Sequence, residues 1–141
     1  ESYPVLETFV EDIVSASSII VRGEGEAESY SALLRESIEK FYPEKKIIWN
    51  PQGEEEADLC LAVSITGKEK LTMDSISRVV FAGGKADVIS ANPQSLISKA
   101  ATNAIQVSDE LFFKGDEHIL GKFSILAVIE ILTVLMGKDK V

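Results

Sequence analysis

The sequence predicts one α/β domain of three layers, Rossmann-like, with helices on both faces of a mixed, mostly parallel sheet of about five strands. Short β-branched runs that are typical of buried strands alternate with segments of helical periodicity, as in βαβ units. A chain of 141 residues suits a single domain that can bury its own core. No repeat or linker divides residues 1–141, so the whole chain is assigned to that one domain.

The first half of the chain is predicted to hold a helix followed by one βαβ unit. Apolar residues recur on one helical face between Val5 and Val14, and Pro43 ends a second helical pattern. Because that second helix connects the first two strands, these strands should be parallel with a right-handed crossover. The predicted elements are a helix over 4–16, a strand over 17–22, a helix over 26–42 and a strand over 46–49.

The middle of the chain predicts a hairpin. A third buried strand is expected over residues 57–65, and residues 70–77 fit either a short helix or an edge strand. Residues 78–82 are predicted to be a strand, and Gly83-Gly84 separates them from an extended run over 86–90. Two apolar runs joined by two glycines indicate a tight antiparallel turn, which is why the sheet is expected to be mixed.

The C-terminal third is predicted to be helical. Asn92-Pro93 is typical of a helix start, and a face of small residues continues to Ile105 and on toward Phe112. Residues 113–118 are predicted to form a loop. The last helix then ends at Met136, before Gly137.

The last helix carries more apolar surface than one sheet face requires. Its apolar arc covers roughly 240°, whereas a helix on a sheet needs about 100°. The remainder must pack on the N-terminal helix or on the same helix of a second subunit, and the second alternative predicts a homo-oligomer, with a dimer favoured. Glu130 lies in the narrow polar stripe, where it meets water or is a buried functional carboxylate. The candidate interface residues are Ile125, Val128, Ile129, Leu132, Leu135 and Met136.

Composition restricts the partners and the compartment. Lys and Arg number 14 against 23 Asp and Glu, so the net charge of −9 disfavours nucleic acid and anionic membranes. The apolar stretch over 123–136 is shorter than the about 20 residues of a spanning helix, and the acidic N-terminus is unlike a signal peptide. Cys60 is the single cysteine, which indicates a reducing, cytoplasmic location. Its aliphatic neighbours predict a small buried hydrophobe.

A glycine-containing turn follows the first predicted strand, at the carboxyl edge where open α/β sheets bind ligands. Gly23-x-Gly25 before a helix is half of a dinucleotide fingerprint, but Glu28 occupies the place of the third glycine. Glu26 and Glu28 already complement the helix dipole, which favours a helix start stabilised by its own acids over a phosphate site. Glu24 and Glu26 could instead bind a cation or an amine.

Two further loops combine glycine with lysine, Thr66-Gly67-Lys68 and Gly83-Gly84-Lys85. Neither has the full P-loop pattern, and both fit ordinary turns. The second is the favoured anion site, since the helix start at Asn92 and Ser95 has no acid in its first turn. The candidate ligand-binding residues are Arg22, Gly23, Glu24, Gly25, Glu26, Gly83, Gly84, Lys85, Asn92 and Ser95.

Three functions stay open at this stage. His118 is the only histidine, so a histidine cluster cannot bind zinc, and neither a metal nor a cofactor is assigned. The first function is a homo-oligomeric ligand-binding or regulatory module for a small polar ligand. The second is a small enzyme with Glu24 or Glu26 as acid/base and backbone donors from Gly83-Gly84. The third is a subunit of a larger complex that docks through its last helix.

Overall fold

The computed structural model describes residues 3–107 and 117–141. Five strands form one sheet in the order β2-β1-β3-β4-β5, and all neighbouring strands are parallel. The strands are β1 (Ser18–Arg22), β2 (Lys46–Trp49), β3 (Leu59–Ser64), β4 (Lys85–Ser90) and β5 (Asn103–Gln106). The helices are α1 (Tyr3–Ser15), α2 (Glu28–Phe41), α3 (Lys70–Phe81), α4 (Leu96–Ala100) and α5 (Glu117–Asp139). The predicted three-layer Rossmann-like class is confirmed.

The two faces of the sheet bury separate apolar clusters. Successive side chains of a strand point to opposite faces, so Leu59, Leu61 and Val63 of β3 join the cluster that α1, α2 and α5 cover. Cys60 and Ala62 join the cluster that α3 and α4 cover. The buried position of Cys60 confirms its interpretation as a small core hydrophobe. Helices therefore cover both faces of the sheet.

The predicted hairpin is wrong, and the sheet is not mixed. Residues 70–81 are one helix, whose residues Ile76 and Val79 pack into the second cluster. Gly83 ends this helix with a φ of 98°, and the N–H groups of Gly83 and Gly84 donate to the carbonyls of Val80 and Val79. A left-handed glycine is a common helix end, so the two glycines stop a helix and lead into a parallel strand.

The long helix predicted from Asn92 is also wrong in part. α4 spans only Leu96–Ala100, and residues 103–106 form the edge strand β5. The carbonyl of Ala86 accepts a 2.7 Å hydrogen bond from the N–H of Thr102, and β5 continues the pairing along β4. Pairing with a neighbouring strand overrides the helix propensity of the alanines here. The predicted continuation to Phe112 and most of the predicted loop over 113–118 lie outside the described residues.

The last helix packs against both α1 and α2. Four of its predicted interface residues, Ile125, Ile129, Leu132 and Met136, are buried in the core of the chain, and Val128 and Leu135 pack against it. Glu130 is exposed, as its place in the polar stripe requires. Two helices of the same chain therefore cover most of the apolar arc. The homo-oligomer stays a prediction, and the apolar side chains that α5 leaves exposed include Ile131 and Val134.

Candidate functional site

The strand order creates a crevice at the carboxyl edge between β1 and β3. The connection after β1 leads to α2 on one face, and the connection after β3 leads to α3 on the other. Connections that leave in opposite directions open a crevice between them, where ligands of open α/β sheets bind. The segments that meet at this edge are 22–27, 64–69 and 90–95.

A cluster of hydrogen-bond donors follows β3 and holds the side chain of Glu69. The hydroxyl of Ser64 donates to Oε1 over 2.8 Å, and the N–H of Gly67 donates to the same oxygen over 3.1 Å. Oε2 accepts from the N–H groups of Ile65 at 2.9 Å and Thr66 at 3.1 Å. Successive backbone N–H groups that converge in this way form an anion-binding concavity. We call these four donors the β3–α3 cradle.

The cradle keeps the Glu69 carboxyl ionised. Partial burial alone would raise the pKa of this group. The hydrogen bonds from the Ser64 hydroxyl and from the backbone outweigh the burial, and the pKa of Glu69 lies below its ordinary value. Hydrogen bonds to the charged form of an acid have this effect. The cradle therefore stabilises a negatively charged oxygen pair.

Gly67 shapes the cradle and brings it close to the loop after β4. Its φ is 80°, and a Cβ at this position would lie 2.3 Å from Cβ of Ser95. The conformation and the contact both require glycine. The side chain of Asn92 donates a 2.9 Å hydrogen bond to the carbonyl of Thr66, which ties the two loops together.

Gly23 and Gly25 after β1 meet two different requirements, close packing at Gly23 and a left-handed backbone at Gly25. A Cβ at Gly23 would lie 2.3 Å from Oγ of Ser31 in α2, and Gly25 adopts a φ of 59°. Only a residue without a side chain lets the strand end pass so near the helix. The carboxylate of Glu24 then reaches across the crevice and accepts a 2.6 Å hydrogen bond from the N–H of Thr72.

Two neighbouring residues of the predicted site make hydrogen bonds to the segment that follows β2. Arg22 is 1% exposed, and its guanidinium donates a 2.5 Å hydrogen bond to the carbonyl of Pro51. The N–H of Gly23 donates to the side chain of Asn50 over 2.9 Å. These bonds join the ends of β1 and β2 and fix the start of the crevice.

The loop after β4 contributes hydroxyl groups to the same edge. Ser98 Oγ donates to Oγ of Ser90 over 2.6 Å, and Ser95 Oγ accepts from the N–H of Ser98 over 3.2 Å. Ser95 is therefore the N-cap of α4, whereas the sequence assigns that role to Asn92. Both Asn92 and Ser95 lie at the predicted edge.

A surface cavity of about 260 Å³ adjoins the cradle. Met73 and Ile97 give it apolar walls, and Lys68 and Lys70 place two cationic side chains on an otherwise acidic protein. Its lining residues are Gly67, Lys68, Glu69, Lys70, Met73, Asp74, Leu96 and Ile97. The cavity has room for a small ligand whose charged end meets the cradle.

The favoured anion loop of the sequence prediction lies at the other edge of the sheet. Gly83 and Gly84 precede β4 and Lys85 is its first residue, because the residues before them form α3 and not a strand. They therefore cannot share the crevice with Asn92 and Ser95. Gly83 and Gly84 line a separate cavity of about 360 Å³ with Ser18 and Asp58.

The same opposite edge holds a buried pair of carboxyl groups. Asp87 is fully buried, and the amide of Asn103 donates to Asp87 over 3.0 Å and to Asp12 over 3.3 Å. Burial, followed by the hydrogen bond with Asp12, raises the pKa of Asp87 to about 8. Lys85 pairs with Asp12 at 3.2 Å. These contacts of Asp12 with Asn103 and Lys85 fasten α1 to β4 and β5.

The fold is shared with solved proteins of little sequence similarity. The chain matches the sugar isomerase domain of an RpiR transcription factor from Sphaerobacter thermophilus, with a TM-score of 0.81 and 17% identity over 98% of this chain and 79% of that one. The fold is that of a sugar isomerase domain. No protein-family model and no curated protein matches the sequence.

Two further structures show the same sugar isomerase fold. Vibrio vulnificus NanR complexed with ManNAc-6P has a TM-score of 0.77 and 16% identity, and the match covers 96% of this chain and 54% of NanR. A phosphoheptose isomerase from Francisella tularensis has a TM-score of 0.68 and 10% identity over 97% and 86% of the two chains. The chain thus spans about half the length of NanR.

Within the described residues, neither the cysteine thiol nor a cluster of metal-binding side chains supports a catalytic site. Cys60 is fully buried, and burial raises the pKa of its thiol to about 12, so it is not a nucleophile. No three His, Cys, Asp or Glu side chains of residues 3–107 and 124–141 lie close enough to hold a metal ion. Among the described residues of this chain, no helix has the length and apolarity needed to span a membrane. The side chain of His118 lies outside the described residues.

The central residue of the site was missed at the sequence level. Thr66 to Lys68 follow the strand predicted over residues 57–65, and so belong to the predicted edge, but Glu69 is absent from the candidate residues. The Thr66-x-x-Glu69 spacing before an apolar run is typical of a helix start. That signal would place the N-cap at Thr66, whereas Glu69 itself is the N-cap of α3, and it does not reveal that four donors surround the carboxylate of Glu69.

Proposed function

We propose that this domain binds a phosphorylated sugar at the carboxyl edge of its sheet, with the phosphate in the β3–α3 cradle. The observation that carries the proposal is the set of four donors around Glu69. The carboxylate occupies the place where a phosphate group of a ligand would accept the same hydrogen bonds. Backbone N–H groups at such a turn are a common phosphate site.

The surroundings of the cradle support a polar ligand with an anionic end. Lys68 and Lys70 line the adjoining cavity and carry the charge that attracts a phosphate. Ser95 and Asn92 place a hydroxyl and an amide beside Gly67, and such groups bind sugar hydroxyls. Structures of the same fold are named for a sugar isomerase domain, for a ManNAc-6P complex and for a phosphoheptose isomerase.

Isothermal titration calorimetry tests the proposal with a panel of aldose and ketose phosphates that includes N-acetylmannosamine 6-phosphate. Each compound is paired with its unphosphorylated sugar. We expect binding that depends on the phosphate and that weakens about tenfold in Ser64→Ala, which removes one cradle donor and about 1.4 kcal/mol. Ser77→Ala is the matched control, because Ser77 is an exposed serine of α3.

The result that would contradict the proposal is equal behaviour of the two serine variants, or binding of the sugar with and without its phosphate at the same affinity. Either outcome would show that the cradle does not recognise the phosphate of the ligand. Circular dichroism of both variants checks that the helices and strands are intact.

We also propose that the domain works as a homo-oligomer in the cytoplasm, with the exposed stripe of α5 as the contact. Ile131 and Val134 are 37% and 56% exposed, although both are large apolar residues. A two-fold axis beside this stripe would cover both side chains in each subunit. The free, buried thiol of Cys60 is compatible with a reducing compartment.

A further inference from the structure

We infer that Glu69 is an intramolecular competitor of the ligand, so that a phosphate enters the β3–α3 cradle only after this side chain leaves it. This inference rests on the proposed function and assigns Glu69 the role of setting affinity for the phosphorylated ligand. All four donors of the cradle already bond to the carboxylate. An incoming phosphate therefore finds no free donor while Glu69 is in place.

The competition is strong because Glu69 is tethered to the site it occupies. A group attached by a short segment has an effective concentration in the millimolar range or above. A free ligand must bind the cradle tightly enough to compete with this effective concentration before it displaces the carboxylate. The apparent dissociation constant therefore rises in inverse proportion to the fraction of molecules in which the cradle is open.

The charges around α3 act in the same direction. Glu24 holds the N–H of Thr72 over 2.6 Å, so a second carboxylate of the chain lies at the start of this helix. A phosphate in the cradle would meet both carboxylates unless Glu69 moves away. Lys68 and Lys70 line the same cavity as Glu69. The released carboxylate can therefore move toward two side chains of opposite charge.

One polar group at this helix start is left unused while Glu69 is in place. Thr72 is fully buried, and its hydroxyl has no hydrogen-bond partner within the part of the chain that the structure describes. A buried hydroxyl without a partner is costly. The hydroxyl belongs to the same residue whose N–H binds Glu24, in the first turn of α3.

The test is the affinity of Glu69→Ala for the sugar phosphates and for inorganic phosphate. We expect Glu69→Ala to bind both at least tenfold more tightly than the wild type, because its cradle is empty. Glu28→Ala is the matched control: it removes the same charge near the same sheet edge, from an exposed residue that donates nothing to the cradle. We expect its affinity to equal that of the wild type.

The outcomes separate the inference from the proposed function. Equal binding by the wild type and Glu69→Ala overturns the competitor role and leaves the sugar-phosphate function standing. Tighter binding of inorganic phosphate by Glu69→Ala, without binding of any sugar phosphate by either protein, supports the competitor and overturns the function. Absence of all binding in both proteins overturns both. An equal gain in Glu28→Ala shows a general charge effect and overturns the role of Glu69.

A second variant keeps the test valid if the empty cradle prevents folding. Glu69→Gln retains the size of the side chain but replaces one acceptor oxygen with an amide group that donates. That group faces N–H donors and cannot satisfy them, so the amide is held less firmly. We expect tighter phosphate binding than in the wild type, and unchanged affinity in folded Glu69→Gln would contradict the inference.

Discussion

The carboxylate of Glu24 accepts a 2.6 Å hydrogen bond from the backbone N–H of Thr72, across the crevice between β1 and β3. This bond explains why a glycine turn that resembles a nucleotide site contains a glutamate at position 24. Gly23 brings the end of β1 close to α2, and Glu24 leaves the turn toward the other face of the sheet. Its charge complements the positive end of α3.

We expect Glu24→Ala to lower the free energy of unfolding by about 1 kcal/mol, the usual effect of removing an acceptor from the first turn of a helix. Urea denaturation followed by circular dichroism measures this change. Glu36→Ala is the reference, because Glu36 is exposed in the middle of α2, away from the helix start. Equal midpoints for the two variants would show that the bond across the crevice contributes no stability.

A second prediction separates the two requirements for glycine at position 67. Gly67→Ala should lower the unfolding free energy by about 2–3 kcal/mol, because it combines strained backbone with a close contact. Gly83→Ala should cost only about 1 kcal/mol. Gly83 has a φ of 98°, but a Cβ there meets nothing within 4 Å, whereas at Gly67 it meets Ser95 at 2.3 Å. Thermal or urea unfolding of both variants gives the difference, and equal losses would contradict the steric part.

A third prediction concerns the pH dependence of stability. The pKa of Asp87 is raised from its ordinary 3.8 to about 8, so the folded protein binds a proton there that the unfolded chain releases. Stability therefore falls as the pH rises from about 4 to about 8, and it does not fall further above that range because of this group. Asp87→Asn removes the titration while its amide can still donate to Asp12.

We expect Asp87→Asn to gain stability relative to the wild type as the pH rises, by at least about 1 kcal/mol between pH 5 and pH 8. Urea denaturation at a series of pH values measures this gain. Asp74→Asn is the control, because Asp74 is an exposed aspartate of α3. A constant difference between Asp87→Asn and the wild type at all pH values would rule out the raised pKa of Asp87.

A fourth prediction distinguishes packing within the chain from contact between chains on α5. Leu132 is fully buried, so Leu132→Ala should cost about 2–5 kcal/mol of stability. Val134→Asp should leave the melting temperature nearly unchanged and convert the proposed dimer to a monomer. Sedimentation velocity at several concentrations measures the second effect. A wild type that is already monomeric would refute the proposed contact.

The sequence predicts the elements of the fold better than the connections between them. β2 is predicted at its observed bounds, 46–49, because its apolar run ends at Asn50-Pro51. Residues 78–82 were predicted to be a strand because β-branched residues followed by Gly-Gly fit a hairpin as well as a helix end. The difference depends on packing against the sheet, which the local pattern does not contain.

The candidate site was predicted only in part for the same reason. Asn92 and Ser95 lie at the predicted edge because they follow a correctly predicted strand. Gly83, Gly84 and Lys85 were assigned there because one helix was interpreted as a strand, and this error exchanges the two edges of the sheet. Glu69 binds donors two to five residues away in the chain, in a geometry that depends on the left-handed backbone at Gly67.

The position of α5 has a consequence for the order in which the protein folds during synthesis. Leu34 and Ile38 of α2, and Phe9 and Ile13 of α1, share one buried cluster with Ile129 and Leu132. A nascent chain of which only the residues before α5 have left the ribosome therefore exposes an uncovered apolar face on two helices. The earlier part of the chain remains a target for chaperones until α5 emerges, and products truncated before α5 should be cleared rather than accumulate.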